Sequence, residues 1–205
     1  MKEFLSALKE LRKTAIKRNF EQSVDLIINL RDFDIKKHSI NIPIILPFRI
    51  KDSRICAFLE KDNKEFDFVV KKEEIARFSP EQIKKLAPEY DFFVSLSSLM
   101  PAVATAFGRI LGPLGKMPNP KTGGVIMDDK NVKELIQKLK NTIIIKTKEA
   151  SIKTSIGKEG KPDEELEKNA STIYEAVLNA LPNKKENIKN VMLKFTMSKP
   201  VKIKI

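Results

Sequence analysis

Ile55-Cys56-Ala57-Phe58-Leu59 is an unbroken apolar run, and its contrast with Ser23-Val24-Asp25-Leu26-Ile27-Ile28-Asn29-Leu30 decides the fold. In the second stretch Val24, Leu26, Ile28 and Leu30 recur at every other position, the period of a strand with one face on a core. The first stretch shows no alternation. A strand buried on both faces reads this way, and such strands belong to parallel sheets covered by helices on each side. Phe92-Phe93-Val94 has the same texture, and residues 66–70 and 142–145 are two further strands of this group. Helical patterns lie between them. Ser79-Pro80 is an N-cap followed by proline at the first helical position, and residues 98–107 and 132–139 are helices, the latter after Asp128-Asp129. Strand and helix in alternation predict a three-layer α/β unit over residues 52–151.

Outward from this unit the texture changes. Residues 2–18 read as a helix, with Phe4, Leu5, Leu8, Leu11, Ala15 and Ile16 at helical spacing. The strand at 23–30 follows, then one at 40–46 whose Pro43 lacks an amide proton and belongs at an edge or bulge. Beyond residue 152 the same character returns. Pro162-Asp163-Glu164-Glu165 opens a helix with acids at its positive end. Ile173, Tyr174, Val177, Leu178 and Leu181 continue its apolar face, and strands follow at 191–197 and 201–205. Neither end holds enough strands for a sheet, but together they offer about four strands and two helices, enough to fold independently. The prediction is therefore a mixed α/β, two-domain chain. Residues 1–51 and 152–205 form a discontinuous two-layer terminal domain, and residues 52–151 are inserted into it. The two crossings, near 48–52 and 151–154, would form a hinge.

The chain has 205 residues, 41% of them hydrophobic and 32% charged, with a net charge of +12. A protein this basic meets a polyanion, nucleic acid or an anionic surface. No apolar run approaches the roughly 18 residues that span a bilayer, so no membrane partner is expected. The charged N-terminal segment lacks the apolar core of a secretory signal. One cysteine, Cys56, and one histidine, His38, exclude an internal disulfide and sites built from several such ligands. A reduced, cytoplasmic compartment fits, with no metal and no cofactor. Cys56 reads as a small buried hydrophobe. The adjacent Glu164 and Glu165 fit a helix start better than an acid/base pair. The two terminal segments together carry +9 and the middle +3, which places the polyanion at the termini.

Residues 108–124 hold five of the seven glycines. A phosphate-binding G-x-x-x-x-G-K-[ST] loop fails twice: Ile110 stands where the first glycine belongs, and Met117 follows Lys116. The segment also follows a helix, not a strand, so the dinucleotide fingerprint fails too. What remains is a rigid Gly/Pro loop that displays Arg109, Lys116 and Lys121, either as a structural connection or as a basic contact loop.

The run Gly108-Arg109-Ile110-Leu111-Gly112-Pro113-Leu114-Gly115-Lys116-Met117-Pro118-Asn119-Pro120 closely resembles the signature of the universal large-subunit ribosomal protein family L-one, which builds the mobile stalk beside the tRNA exit site. The resemblance extends to Lys17-Arg18-Asn19-Phe20-Glu21-Gln22-Ser23-Val24-Asp25-Leu26, to Ile156-Gly157-Lys158 with the following Asp163-Glu164-Glu165-Leu166, and to Lys194-Phe195-Thr196-Met197. It covers nearly the whole chain and favours the archaeal branch.

The resemblance implies a terminal domain that binds large-subunit rRNA and an inserted Rossmann-like domain. It also implies a stalk that moves with deacylated exit-site tRNA, and repression of the protein's own mRNA through a site that mimics rRNA. It predicts RNA contacts at Glu10, Asn19, Phe20, Ser23, Thr196 and Met197, with Lys158 and Ser198 in the same set. Hydroxyl and amide groups there suit 2′-hydroxyls, Phe20 suits a ribose or base face, and Lys17, Arg18 and Lys194 suit phosphate. A tRNA-facing role falls to Arg109, Lys116 and Lys121. Off the ribosome a monomer is expected. Two departures stand out. Ser198 replaces the family's glycine, so that its hydroxyl would replace a close backbone approach or loosen it. Leu46-Pro47-Phe48-Arg49 replaces Leu-Pro-His-Gly. The competing reading, an α/β enzyme for a nucleotide or phosphorylated substrate, lacks a phosphate loop and a catalytic constellation.

Overall fold

The structure, a computed structural model, describes residues 2–16, 18–34, 40–127, 132–147 and 149–203. Lys17, His38, the Asp128-Asp129 pair and residues 204–205 of the last expected strand lie outside these. The chain forms two units, Met1–Lys51 with Asn141–Ile205, and Asp52–Lys140. The first opens with α1 (Lys2–Thr14), β1 (Ser23–Leu30) and β2 (Asn41–Ile45). The second holds β3 (Ile55–Leu59), β4 (Phe68–Lys71), α2 (Lys72–Ile75), α3 (Pro80–Glu89), β5 (Phe92–Leu96), α4 (Met100–Leu114), β6 (Val125–Ile126) and α5 (Val132–Lys140). The chain returns to the first unit with β7 (Thr142–Lys146), β8 (Ser151–Lys158), α6 (Asp163–Ala180), β9 (Ile188–Phe195) and β10 (Val201–Ile203).

In the first unit an antiparallel sheet runs in the order β10-β9-β1-β8, with α1 and α6 packed on it. Val24, Leu26, Ile28 and Leu30 are buried while their neighbours in β1 are half-buried, so the alternation in the sequence is the alternation of faces. Phe4, Ala7, Leu8 and Leu11 bury one stripe of α1; full burial of a leucine such as Leu8 contributes about 1.5–3 kcal/mol. Ile16, expected on that stripe, lies past the helix end and is exposed. A bulge interrupts β8, where Val24 faces Gly157 and Asp25 faces Ser155, leaving Ile156 as the extra residue. Ile156 points into the core. A Cβ at Gly157 would lie 2.5 Å from the buried Leu166 side chain of α6, so glycine lets that helix sit against the strand.

The apolar run at 142–145 predicts a parallel strand of the inserted unit. β7 instead pairs antiparallel with β2, from Asn41 opposite Lys146 to Ile45 opposite Thr142. Ile145 joins Ile40, Ile44 and Leu46 in the first unit's core, so the second unit ends at Lys140, not residue 151. A run of three isoleucines satisfies a two-stranded ribbon on a core as well as a strand buried on both faces. Pro43 takes the edge position its missing N–H requires, since β7 is the strand β2 pairs with.

Asn169, fully buried in α6, holds the segment after β2. Its amide oxygen accepts the Phe48 N–H at 3.1 Å, and its nitrogen donates to the carbonyls of Phe48 and Ile156 at 3.0 and 2.9 Å. One side chain thus satisfies backbone groups from two segments that have no strand partner there.

The second unit has a parallel sheet in the order β4-β3-β5-β6. Its central β3 is buried at all five positions. Cys56 and Phe58 face a core with Ile83, Val103, Phe107 and Leu111 of α3 and α4. Ile55, Ala57 and Leu59 face a core with Val132, Ile136 and Leu139 of α5. The two helical layers explain the unbroken apolar run. Burial pushes the Cys56 thiol up to about 12, as befits a packing residue. Ser79 caps α3 reciprocally with Gln82, its hydroxyl accepting the Gln82 N–H and its own N–H donating to the Gln82 side chain.

Candidate nucleic-acid interface

Ser23 stands at the start of β1 between two strand ends. On one side its register partner is Lys158, the last residue of β8. On the other, its N–H donates to the Thr196 hydroxyl at 3.1 Å and its carbonyl accepts the Thr196 N–H at 3.1 Å. The threonine hydroxyl therefore extends the ladder one residue past the end of β9 at Phe195. Lys194 lies opposite Asp25, two residues along from the Ser23 and Thr196 pair. Burial pushes the Asp25 carboxyl above its ordinary range and Lys194 pulls it back. Ser23, Lys158, Lys194 and Thr196, scattered in sequence, thus share one end of the sheet.

The apolar and polar candidates before Ser23 face water. Arg18 and Asn19 are exposed, and Phe20 is 53% exposed. Met197, at the tip of the turn between β9 and β10, is 61% exposed. A phenylalanine and a methionine this open have an unused apolar face beside hydrogen-bonding groups, the combination that stacks on a base or ribose. Lys158 forms an ion pair with Glu21 at 3.0 Å between half-exposed side chains, a contact of little net energy that a phosphate can displace. Glu10 is exposed on α1, and among the described residues no hydrogen bond or ion pair joins its side chain to the others.

The Ser198 hydroxyl, expected either to replace a close backbone approach or to loosen it, is turned into its own turn. The hydroxyl accepts the Phe195 N–H at 2.9 Å and lies 3.4 Å and 3.2 Å from the carbonyls of Phe195 and Lys199. Its N–H also donates to the Phe195 carbonyl at 3.1 Å. The side chain closes the turn internally, where a glycine has nothing to bond with.

Gln22 was legible in the sequence only as part of a motif. It is 1% exposed, and its carbonyl side-chain oxygen accepts the Met197 N–H at 3.1 Å. Its amide nitrogen donates to the Glu159 carboxylate at 3.4 Å, and its backbone carbonyl accepts the Glu159 N–H at 2.8 Å. A buried glutamine between a strand start and two turns is the signal that burial, not sequence, supplies.

The basic segment of the second unit is built differently. Residues 108–114 belong to α4, and Gly115, at φ +66°, ends that helix in the left-handed conformation glycine favours. Lys116 is not displayed: its ammonium donates to the carbonyls of Ala87 and Tyr90 at 2.8 and 2.7 Å, at the C-terminal end of α3. Arg109 is exposed on α4, and Lys121 is exposed in the Asn119 turn. Gly124 is closely packed: a Cβ there would lie 3.0 Å from the Asn119 nitrogen and 3.2 Å from the Phe93 carbonyl, so the backbone around it would have to give by a few tenths of an ångström. Among the described residues no group of three or more His, Cys, Asp or Glu is placed to hold a metal ion.

The family model described as "Ribosomal protein L1p/L10e family" matches residues 11–199. A large ribosomal subunit protein uL1 from Nanoarchaeum equitans is 35% identical, over 91% of this chain and 93% of its own length. The proteins of the same name from Thermococcus kodakarensis and Methanocaldococcus jannaschii are 34% and 35% identical, over 97% and 98% of this chain and 95% and 94% of their own. Matches of that identity over nearly both full lengths leave no unit of the chain outside the resemblance, so the chain belongs to the ribosomal protein L1p/L10e family, whose members are ribosomal proteins of the large subunit and not enzymes.

Proposed function

We propose that the first unit binds large-subunit rRNA through the sheet end around Ser23, and so anchors the mobile stalk at the tRNA exit site. The observation that supports this most is the convergence of Ser23, Thr196, Lys158 and Lys194 on one sheet end, with Phe20 and Met197 left open to solvent. Hydroxyls and backbone groups read 2′-hydroxyls, the open apolar side chains pack on ribose or bases, and the lysines neutralise phosphate. In this reading the protein works on the ribosome, helps deacylated tRNA leave, and represses its own mRNA where that RNA copies the rRNA site. The second unit contributes to the tRNA side through Arg109 and Lys121. Lys116 has no part in that contact, since its charge is committed to α3. Among the described residues no helix is long and apolar enough to cross a membrane.

The test is binding of a large-subunit rRNA stalk fragment by the full chain and by a chain lacking residues 53–140. A deletion carried to residue 150 would remove β7 and strip β2 of its partner. Equal specific affinity of the two supports the assignment, and a folded deletion variant that has lost it shows the site lies elsewhere. Arg109→Glu with Lys121→Glu should leave the rRNA affinity intact and slow tRNA movement in reconstituted ribosomes.

A further inference from the structure

We propose that Gln22 is a positioning residue for RNA recognition: it touches no RNA, but holds the turn at Thr196 and Met197 in its binding conformation and joins it to the turn after β8. The inference rests on the rRNA-binding reading above.

Three observations carry it. First, Gln22 is 1% exposed, although glutamine is mostly a surface residue, and a buried polar side chain persists where its hydrogen bonds are made. Both ends of its amide are used, and on different segments: the Met197 N–H at 3.1 Å and the Glu159 carboxylate at 3.4 Å. Second, the Met197 side chain is 61% exposed and so cannot anchor its own residue by packing. The turn is held from its two sides by Thr196 on Ser23 and by Ser198 on Phe195, and at its tip by Gln22. Third, Gln22 lies in sequence between Phe20 and Ser23, so the same residue that fixes the turn also fixes the chain carrying two proposed RNA contacts. Ordering a binding turn before the RNA arrives removes an entropic cost from association, and removes it only for an RNA that uses the turn. Loss of Gln22 should therefore erode discrimination between RNAs more than it erodes general attraction to phosphate.

The experiment compares the full chain with Gln22→Met and Gln22→Glu. Each is titrated with a large-subunit rRNA stalk fragment and with a scrambled RNA of equal length, across a range of salt, with Tm recorded for each. Methionine keeps length and volume but makes no comparable hydrogen bond. Glutamate keeps the acceptor for the Met197 N–H and loses the donor to Glu159. Gln22→Met should lower the specific-to-scrambled affinity ratio by about tenfold, the scale of one or two net hydrogen bonds. Binding to the scrambled RNA, and its salt slope, should not change. Gln22→Glu should weaken binding to both RNAs through its charge and keep most of the ratio. Gln22→Met combined with Met197→Ala should cost less than the two losses added, because both act through one turn.

A ratio unchanged in folded Gln22→Met, or additive losses in the double variant, overturns the inference. If Gln22→Met does not fold, Gln22→Glu decides: a retained ratio supports the Met197 bond as the working contact, and a lost ratio with Tm intact overturns it. A wild-type chain with no preference for the stalk fragment overturns both this inference and the rRNA-binding reading, whereas a wild-type preference that survives Gln22→Met overturns this inference alone.

Discussion

Lys158 in the first unit and Lys116 in the second each follow a glycine in a basic motif, yet their surroundings differ. Lys158 meets Glu21 across half-exposed side chains. Lys116 meets two backbone carbonyls at the end of α3, groups that have no partner within their own helix. The first contact exchanges readily for a phosphate; the second cannot be given up without leaving two carbonyls unsatisfied. Ser23 and Ser198 show the same contrast within the first unit. The Ser23 backbone is fully engaged while its side chain lies at the sheet surface, whereas the Ser198 hydroxyl is turned into its own turn. A basic residue in a motif is thus open to a phosphate where the fold gives its charge an exchangeable, half-exposed partner, and closed to it where the charge holds backbone carbonyls.

The contrast breaks most visibly at its centre. Phe20→Ala and Thr196→Ala should each weaken specific rRNA binding by about 2 kcal/mol or more, the cost of truncating a desolvated central contact. Lys121→Ala should change it by a small fraction of that. Filter binding at fixed salt measures both, and equal small effects at all three positions would mean that attraction to RNA is purely electrostatic.

Lys116→Met should destabilise the second unit by about 2 kcal/mol, the range of charge-assisted hydrogen bonds to buried groups, while leaving rRNA affinity of the folded protein unchanged. Urea unfolding gives the first quantity and titration the second. A loss of rRNA affinity without a loss of stability would make Lys116 an rRNA contact, a role the sequence does not give it.

Ser198→Gly should reduce rRNA affinity by about 1 kcal/mol, one net hydrogen bond together with a freer turn. The expected sign follows from the inward hydroxyl, and a gain of affinity would show that the serine side chain obstructs the RNA instead.

Asp25→Asn is expected to have the smallest effect. Burial raises the Asp25 carboxyl above its ordinary 3.8, against the pull of Lys194. The folded chain then holds that proton to higher pH than the unfolded chain, so stability falls as pH rises from 3.8 through the folded value and stays lower at neutral pH. Asparagine should remove that slope and raise Tm slightly at neutral pH. A lowered Tm would show that attraction to Lys194 outweighs the burial of the charge.

The alternation at 23–30, the unbroken run at 55–59 and the cap at Ser79-Pro80 determined strands, sheet type and helix start by themselves, because each depends on neighbours within a few residues and on which faces meet a core. The apolar stripe of α1 was equally plain, whereas β8 carries no strand pattern that the sequence reading picks out, and β2 leaves the four-stranded sheet to pair with β7. Other features were decided only by the tertiary structure. The isoleucines of β7 found their partner in β2, about a hundred residues away in sequence, and local pattern carries no record of a partner that distant. Gln22 and Asn169 became structural keys because each bonds to segments distant in sequence, Gln22 to the Met197 N–H and the Glu159 carboxylate and Asn169 to backbone groups of Phe48 and Ile156. The directions of Lys116 and Ser198 were settled the same way: a side chain bonds to whichever carbonyl or N–H the fold brings within about 3 Å of it, and the sequence names the side chain but not that neighbour.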